Sequence, residues 1–444
     1  MKLELEAARV VVVGMARSGV AAVELLLEKG SRVTAVDQNP VDNTRLRELG
    51  VAVAPQTGAA FAAADLVVLS PGVPAGAPVV EDARRRGIPV IGDLELASWF
   101  LQGDIIGITG ANGKTTTTAL TGHVLAAAGV SAQVGGNIGT PPASMVKTSR
   151  PGQWNVLELS SFQLETISTF RARIAAALNV TPDHLDRHET MEKYAAAKGR
   201  LFENQQAGDF AVLNADDPWT RSYAGRGRGS AVWFSSTRKT GPGAWLEDGR
   251  IMLLDEVLMD QSEVPLRGLH NLENTMAAAL VAHLAGVPRP AIRTAVRSFP
   301  GVEHRLEFVR SLAGVEWFND SKATNVDATL KALAAFHGGL WVILGGKDKN
   351  SDFRPLAEPL SKRARAVLLI GAAAPKIAEQ LRGSVELIAC GTIAAAVEVA
   401  HARARPGDTV LLAPACASFD QFENFEHRGQ VFKKLVQALV GSAS

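Results

Sequence analysis

Short runs of branched apolar residues alternate with longer amphipathic stretches through most of the chain. The first run, RVVVVG at 9–14, is followed by an amphipathic stretch at 16–30 and by RVTAVD at 32–37. Continuous apolar runs of this length are typical of parallel strands buried on both faces, and the intervening stretches are typical of helices that cover such a sheet. The pattern therefore predicts an α/β fold built from strand–helix units.

The chain has 444 residues, which exceeds what one core usually supports at roughly 100–200 residues per domain. We predict three domains. They are a Rossmann-like N-terminal domain at 1–97, a central P-loop-type ATPase domain at 98–299 and a Rossmann-like C-terminal domain at 300–444.

The central segment carries further strand patterns at WNVLELS, IAAALNV, DFAVLNADD and SAVWFS. IAAALNV predicts a strand that ends at Val180. HNLENTMAAALVAHLAG predicts a helix with Asn271 as its N-cap and Gly286 at its end. Segment 220–265 is rich in Gly, Arg and Ser, and its elements cannot be assigned from the pattern.

Charge and composition exclude several classes of protein. Lys plus Arg (46) nearly balances Asp plus Glu (45), so we expect no nucleic-acid partner. Two cysteines cannot form a disulfide framework or a zinc site of usual spacing. No apolar run reaches the roughly 18 residues that span a bilayer, and the N-terminus lacks a signal-peptide layout. We expect a cytoplasmic protein with no membrane partner.

A glycine-rich turn with the sequence TGANGKTT lies between the predicted strand DIIGITG and a helix. In such a loop, backbone amides and the helix N-terminus bind phosphate, a lysine reaches the β- and γ-phosphates, and the first hydroxyl binds Mg²⁺. The longer Walker pattern is not met, because Ile108 occupies its first glycine position. The loop predicts ATP binding, with an ordinary helix start as the alternative. The residues concerned are Gly110, Asn112, Gly113, Lys114, Thr115 and Thr116.

A second glycine turn, GMARSG at 14–19, follows the first strand. Ala16 stands where a dinucleotide fingerprint requires its middle glycine, although Asp37 ends the next strand as a ribose-binding acid would. Three interpretations of this turn are possible: a phosphate or UDP site, a dinucleotide site, or a tight structural turn. SPGVP at 70–74 is a further turn that could contact the same ligand. The candidate residues are Arg17, Ser18, Asp37, Ser70 and Gly72.

Acidic and histidine residues follow two apolar strands of the central segment. Glu158 ends WNVLELS, where a carboxylate could hold Mg²⁺ or could simply be a surface acid. Asp183, His184, Asp186 and His188 follow Val180 and Pro182, and we expect them in a loop with a metal or phosphate role. Structural histidines are the alternative.

Lys198 lies on the apolar stripe of a helix predicted to begin near Thr190, in line with Met191 and Tyr194. An unpaired ammonium is costly to bury, and burial lowers the pKa of a lysine. The side chain must therefore reach solvent, find a matching charge or lose its charge. Carbamylation by CO₂ is one way to replace the positive charge with a negative one.

The C-terminal segment adds a second group of charged and polar residues near strand ends. Arg305 is the last residue of the predicted linker at 298–305, and Asp320 and Lys322 follow another strand. Lys349, Ser418, Phe425 and Arg428 lie further along the chain. Lysines and arginines that converge in this way suit an anionic substrate with carboxylates, whereas each charge taken singly could be a solvated loop residue.

These motifs together resemble the Mur ligase family, the ATP-dependent amide-forming enzymes of peptidoglycan assembly. The resemblance covers nearly the whole chain. Within the family, the C-terminal motifs look most like those of the member that adds D-glutamate. The matching motifs, in order, are TGANGKTT, GGNIGTP, ELSSFQLE, NVTPDHLDRH, YAAAK, HNLENTMAA, EHRLE, NDSKATN and LGGKDK.

The resemblance implies a UDP-binding domain, an ATPase domain and an amino-acid-binding domain, in that order. It implies the substrates UDP-N-acetylmuramoyl-L-alanine and D-glutamate, ATP, two Mg²⁺ ions and a carbamylated Lys198, in a monomer. The resemblance implies that Thr115 and Glu158 bind one Mg²⁺ and that His184 and Lys198 bind the other. It implies that Asn137 and His184 face the substrate, that Gln38 neighbours uracil, that the nucleotide is held by Asn271, Arg305 and Asp320, and that Lys322 approaches the reacting phosphate. The residues implied to surround D-glutamate are Thr324, Lys349, Ser418 and Phe425. The catalytic set is Lys114, His184, Lys198 and Lys322.

Three alternatives remain at this point. A folylpolyglutamate-type enzyme would be another amide ligase of the same general kind. An NAD-dependent oxidoreductase would use the first turn, although the missing middle glycine disfavours it. A nucleotide-gated binding protein would hydrolyse ATP without forming an amide.

Overall fold

The computed structural model describes residues 4–39 and 43–440, which form an α/β protein with three separate sheets. The chain divides into two compact units. One comprises Met1–Glu263 and Glu273–Phe299, and the other comprises Val264–Leu272 and Pro300–Ser444. In the described ranges every helix is too short or too polar to cross a membrane.

The N-terminal sheet has five parallel strands. They are β1 (Arg9–Val13), β2 (Arg32–Asp37), β3 (Val53–Pro55), β4 (Leu66–Leu69) and β5 (Val90–Gly92). The helices beside them are α1 (Arg17–Glu28), α2 (Thr44–Glu48), α3 (Pro78–Arg85) and α4 (Asp93–Ser98), with a 3₁₀ turn at Gly58–Phe61. The strand order is β3-β2-β1-β4-β5, so the carboxyl ends of β1 and β4 are neighbours.

The central sheet has nine strands; the β12–β13 and β13–β14 pairings are antiparallel, and the other pairings are parallel. They are β6 (Asp104–Thr109), β7 (Ala132–Gly136), β8 (Trp154–Glu158), β9 (Ile174–Ala177), β10 (Phe210–Asn214), β11 (Ser230–Ser235), β12 (Gly243–Glu247), β13 (Arg250–Leu253) and β14 (Glu256–Asp260). Their order is β14-β13-β12-β11-β10-β9-β6-β8-β7, which places β6 between β8 and β9.

The helices of the central segment are α5 (Lys114–Ala127), α6 (Pro142–Met145), α7 (Ser161–Leu164), α8 (Leu185–His188), α9 (Met191–Gly199), α10 (Pro218–Arg221), α11 (Leu269–Leu284) and α12 (Arg289–Arg297). Two 3₁₀ turns lie at Arg200–Phe202 and Gln261–Glu263. The division between the compact units falls inside α11.

The C-terminal sheet has six strands: β15 (Glu307–Leu312), β16 (Val315–Asn319), β17 (Leu340–Gly345), β18 (Ala364–Ile370), β19 (Glu386–Gly391) and β20 (Thr409–Leu412). Their order is β15-β16-β20-β17-β18-β19, and only the edge strand β15 is antiparallel. The helices are α13 (Val326–Ala334), α14 (Ala357–Arg363), α15 (Ala374–Gln380), α16 (Ile393–Arg403) and α17 (Phe425–Ala438), with a 3₁₀ turn at Arg354–Leu356.

The fold corrects several details of the sequence reading. Asn271 is not an N-cap, because α11 already begins at Leu269. The strand expected to end at Val180 ends at Ala177. In segment 220–265, whose loops could not be placed, the strand predicted at SAVWFS is present as β11, and β12 to β14 are additional strands. The predicted domain boundaries at 97 and 299 remain predictions. The division into compact units places the first two predicted domains in one unit and assigns residues 264–272 to the second unit.

Candidate functional site

The glycine-rich loop connects the end of β6 to the start of α5. Gly113 has a φ of 86°, in the left-handed region that favours glycine. A Cβ on Gly113 would lie 2.2 Å from the Asn274 side-chain oxygen, so any side chain would also collide there. The loop therefore depends on glycine for both its backbone conformation and its packing.

Asn179, just after β9, shapes this loop. Its side-chain oxygen accepts the Asn112 amide at 2.8 Å, and its side-chain nitrogen donates to the Asn112 carbonyl at 3.0 Å. Its backbone carbonyl accepts the Ala111 amide at 2.8 Å. Sequence reasoning did not identify Asn179, although a polar amide directly after a buried strand was a usable signal.

Lys114 is the first residue of α5, and its ammonium donates to the carbonyls of Gly110 and Ala111, both at 2.9 Å. Thr115 and Thr116 are buried in the same first turn. The 14-residue helix α5 directs its positive dipole end at this loop. The amides, the ammonium and the dipole together make a site that favours phosphate.

Glu158 ends β8 beside β6 and is only 1% exposed. One carboxylate oxygen accepts the side-chain nitrogen of Asn137 at 3.1 Å, whereas the other is buried with no hydrogen-bond partner among the described residues. A buried carboxylate oxygen without a partner is costly, and a cation would satisfy it. Thr115, buried in the first turn of α5, carries a hydroxyl oxygen, so both residues predicted to bind this ion offer the oxygen donors that Mg²⁺ prefers.

Lys198 lies on α9 and is 1% exposed, as the apolar stripe predicted. Its ammonium donates to the Gly110 carbonyl at 2.8 Å, the same carbonyl that Lys114 contacts, and lies 4.4 Å from the ring centre of Tyr194. Burial first, and then the charge of Lys114, hold the pKa of Lys198 well below its usual value. The neutral amine is therefore favoured at this position.

The acidic and histidine cluster after β9 divides into two environments. His184 has a left-handed φ of 53°, keeps 39% of its side chain exposed and contacts the ring of Phe162 edge-on. His188 is buried, 2.9 Å from the Ser161 hydroxyl and 3.3 Å from Glu165, and burial lowers its pKa. Asp186 and His188 lie in the short helix α8, contrary to the expected loop. His188 is thus a structural residue, and His184 is the accessible one.

A cavity of about 1040 Å³ lies at the carboxyl ends of β1 and β4. Ser70 donates its hydroxyl to the Gly14 carbonyl at 2.6 Å, and Asp37 accepts the amides of Met15 and Asn39 at 2.7 and 3.0 Å. The two predicted turns, at 14–19 and 70–74, are therefore in contact and together line the cavity. The predicted residues that line the cavity are Arg17, Ser18, Asp37, Gln38, Ser70, Gly72 and Asn137.

The second unit contains its own group of functional candidates. Asp320 is buried, and burial raises its pKa to about 6 against the opposing effects of Arg305, the Leu306 amide and Lys322. The Nε atom of Arg305 is buried without a hydrogen-bond partner within the described part of the chain. The ammonium of Lys322 lies 5.2 Å from the ring centre of Phe425. Asp320 and Arg305 are thus adjacent, and Lys322 and Phe425 form a second pair.

Two loops of the second unit are joined by a small antiparallel bridge. Lys347 and Ala417 exchange backbone hydrogen bonds at 2.8 and 3.1 Å, which brings the loop of exposed Lys349 beside the loop of buried Ser418. Arg428 was expected to face an anionic substrate. It is instead fully buried, and donates to Ser321 and to the carbonyls of Cys416 and Ala417.

The remaining predicted residues of this unit lie near the same strand ends. Thr324 follows β16 and is half-buried, and Asn271 is buried and donates its side-chain amide to the Arg267 carbonyl at 2.8 Å.

A cluster of Glu303, His304 and Glu307 has the residue types and spacing of a cation site. Lys433 already donates to Glu303 at 2.9 Å and to Glu307 at 2.6 Å. The lysine ammonium thus supplies the positive charge that these carboxylates need, and the cluster serves to anchor α17.

Three family models match consecutive parts of the chain. They are the Mur ligase MurD-like N-terminal domain at residues 8–92, the Mur ligase middle domain at 108–282 and the Mur ligase glutamate ligase domain at 304–416.

Curated relatives match almost end to end. A protein named UDP-N-acetylmuramoylalanine–D-glutamate ligase from Solibacter usitatus is 60% identical over 98% of this chain and 99% of its own length. A protein of the same name from Acidobacterium capsulatum is 50% identical over 100% of this chain and 99% of its own.

Solved structures match the fold at lower identity. A UDP-N-acetylmuramate-alanine ligase from Thermotoga maritima has a TM-score of 0.61 and 20% identity, with 97% of this chain and 99% of that chain covered. A MurF ligase from the same organism, in complex with ADP, has a TM-score of 0.62 and 18% identity, with 98% and 99% covered.

A phosphate-binding loop on a parallel sheet, with a buried acid and a buried lysine beside it, defines an ATP-dependent ligase of the three-domain α/β type. The chain belongs to the Mur ligase family of amide-forming enzymes. The predicted fold class and family are therefore confirmed.

Proposed function

We propose that this protein joins D-glutamate to UDP-N-acetylmuramoyl-L-alanine with the conversion of ATP to ADP and phosphate, a step in the synthesis of peptidoglycan precursors. The observation that carries the proposal is the 60% identity, over 98% of the chain, to a relative named for that reaction. The motifs around Lys114, Lys198 and Lys322 support it at the level of single residues.

The first chemical step activates a carboxylate, which by itself repels nucleophiles. The terminal L-alanyl carboxylate attacks the γ-phosphorus of ATP, ADP leaves, and an acyl phosphate forms. Lys114 would neutralise charge on the transferred phosphate, and the amides of the loop would hold the other phosphates. Lys322 would approach the same phosphate.

In the second step the amine of D-glutamate attacks the acyl carbon, and the tetrahedral species collapses to the amide with release of phosphate. The ammonium proton must go to a base, and His184 is our candidate because its ring is accessible. The residues proposed to surround D-glutamate are Thr324, Lys349, Ser418 and Phe425, all in the second unit.

The adenosine part of ATP needs polar partners for its ribose hydroxyls. Asp320 suits this role, because a pKa of about 6 leaves its carboxylate mostly ionised at neutral pH and able to accept hydrogen bonds. Arg305 and Asn271 are the other residues proposed to hold the nucleotide.

Two Mg²⁺ ions and a carbamate complete the proposal. Thr115 and Glu158 would hold one ion, and His184 and carbamylated Lys198 the other. Mg²⁺ bound there would supply charge neutralisation at the phosphates. The partnerless oxygen of Glu158 supports the first site, and the lowered pKa of Lys198 supports the carbamate, because only the neutral amine reacts with CO₂.

The UDP-sugar would occupy the cavity of about 1040 Å³ that the two N-terminal turns line. Arg17 and Ser18 would contact the diphosphate, Asp37 and Gln38 the uridine, and Ser70, Gly72 and Asn137 the remainder. We propose that the protein works as a monomer in the cytoplasm, where ATP and UDP-linked precursors are available.

An assay of ADP release and of amide product tests the proposed function. We expect both to require UDP-N-acetylmuramoyl-L-alanine and D-glutamate together. ADP release driven equally well by a folate and L-glutamate would assign the protein to the folylpolyglutamate type instead. Release of phosphate from ATP with no amide product under any of these conditions would overturn the ligase assignment.

Replacement of Glu158 by glutamine tests the first metal site. The change keeps the side-chain size but removes the negative charge, so we expect Mn²⁺ binding in the presence of ADP to weaken by about tenfold or more. Electron paramagnetic resonance of bound Mn²⁺ measures this without reference to turnover. Glu192→Gln, which changes an exposed acid on α9, is the matched control, and equal Mn²⁺ affinity of both variants would refute the assignment.

A further inference from the structure

Arg187 contacts the wall of the N-terminal cavity although it follows His184 by only three residues. Its side chain is 16% exposed. One terminal nitrogen donates to the carbonyls of Pro71 and Gly72 at 3.2 and 3.3 Å, and the other donates to the carbonyl of Val73 at 3.0 Å. All three carbonyls belong to residues that line the cavity.

The guanidinium is itself held by the central segment. The nitrogen that contacts Val73 also donates to Glu165 at 2.9 Å, and Glu165 lies 3.3 Å from the buried ring of His188. Glu165 therefore anchors Arg187 to the same packed region that fixes α8.

Phe162 connects Arg187 to His184. The guanidinium carbon lies 4.3 Å from the centre of the Phe162 ring, a distance typical of a cation–π contact. The same ring contacts His184, whose ring centre is 4.9 Å away in an edge-on arrangement, and stacks on His188 at 5.5 Å. A displacement of Arg187 would therefore remove one of the contacts that orient Phe162 and, through it, the accessible histidine.

We propose that Arg187 is a positioning residue that couples the sugar-nucleotide cavity to His184: it fixes the Pro71–Val73 backbone for the substrate and orients His184 through Phe162. This inference rests on the proposed function, since it takes the UDP-linked acceptor as the ligand of the cavity. The Arg187 guanidinium contacts three carbonyls, a carboxylate and an aromatic ring at once. A planar, forked guanidinium can make all of these contacts, whereas a lysine ammonium cannot.

Substitution of Arg187 should change the KM for one substrate and not for the other. In Arg187→Ala and Arg187→Lys, we expect KM for UDP-N-acetylmuramoyl-L-alanine to rise by about tenfold or more, because charge-assisted hydrogen bonds to the cavity wall are lost. KM for D-glutamate and the affinity for ADP should stay within about twofold, since the hydrogen bonds and the ring contact of Arg187 described above go to the cavity wall, to Glu165 and to Phe162. Methylguanidine should lower the raised KM of Arg187→Ala.

Arg200→Ala is the matched control. Arg200 also donates to three backbone carbonyls, those of Leu164, Glu165 and Ile167, and pairs with an acid, Glu203, but it makes no described contact with the cavity wall. We expect it to lower the melting temperature as Arg187→Ala does, with KM for the UDP-linked substrate unchanged. If Arg200→Ala raises that KM as much as Arg187→Ala does, the effect is general destabilisation and the proposal fails.

Phe162→Leu tests the second half of the inference. It removes the aromatic bridge but leaves the carbonyl contacts, so kcat should fall while KM for the UDP-linked substrate is retained. Unchanged kcat in this variant overturns the link to His184, and unchanged KM in Arg187→Lys overturns the link to the cavity. The wild-type enzyme is assayed in parallel for amide product. If the proposed function is wrong, the wild-type enzyme itself will form no amide, which distinguishes that outcome from a failure of the Arg187 proposal. If Arg187→Ala does not fold, Arg187→Lys and Arg187→Gln carry the test.

Discussion

Lys198→Ala should reduce amide formation by about 10²- to 10³-fold or more, the range seen when a preorganised electrostatic group is removed from an active site. The buried amine lies 2.8 Å from the Gly110 carbonyl of the phosphate loop, so its loss affects the loop directly. The carbamate proposed on it would also be lost. Bicarbonate with a short-chain carboxylic acid should restore part of the activity, because the acid can place a carboxylate in the space that the lysine side chain leaves.

The measurement is the rate of ADP release that requires both substrates, with and without the added acid. Lys193→Ala is the control, because Lys193 is an exposed lysine of the same helix α9. It should retain wild-type activity and show no response to the acid. Full activity of Lys198→Ala would exclude any essential role for a carbamate at this position.

The interior of the fold was predictable because its strands are buried on both faces. Val10 to Val13 form a continuous apolar run, and all four are buried in the central strand of the first sheet. In segment 220–265 the pattern SAVWFS predicted β11, but β12 to β14 were not predicted, because they form an antiparallel extension with mixed polarity. One usable signal was present there: Asp248–Gly249 forms a two-residue hairpin turn with both φ angles positive. The next turn places Leu254 and Asp255 in the same left-handed region, which a leucine does not indicate.

Residues of the site were predictable where helical periodicity or a position at the end of a strand identifies them. Helical spacing placed Lys198 on the apolar stripe of its helix but left open whether its side chain reached solvent, and Glu158 was identified by its place at the end of a buried strand. Both side chains are buried in the structure. Asn179 and Arg187 were missed because their partners are backbone groups that lie 67 and 114 to 116 residues away in the chain. The partners in such pairs depend on the tertiary fold, so a local pattern such as the position of Asn179 after a buried strand can single out the residue but not what it contacts.

Lys114→Met should lower ATP-dependent ADP release by about 10²- to 10³-fold or more, because it removes the cation proposed to neutralise the transferred phosphate. Binding of the UDP-linked substrate should persist, since other residues line that cavity. A further effect concerns Lys198. The positive charge of Lys114 helps to lower the pKa of Lys198, so its removal raises that pKa and leaves less neutral amine at a given pH. Carbamate formation consumes the neutral amine, and the variant should therefore carry less carbamate.

The two effects are measured separately. Turnover is followed as ADP release, and the carbamate is followed by ¹³C nuclear magnetic resonance of protein equilibrated with labelled bicarbonate across a range of pH. In Lys114→Met the carbamate signal should require a higher pH than in the wild type, and Lys147→Met, which removes an exposed lysine paired with Glu28, should leave both measurements unchanged. Wild-type turnover in Lys114→Met would remove the lysine from the mechanism. An unshifted carbamate profile would contradict the contribution of the Lys114 charge and would leave burial, the larger of the two causes that lower this pKa, as the reason that Lys198 is neutral.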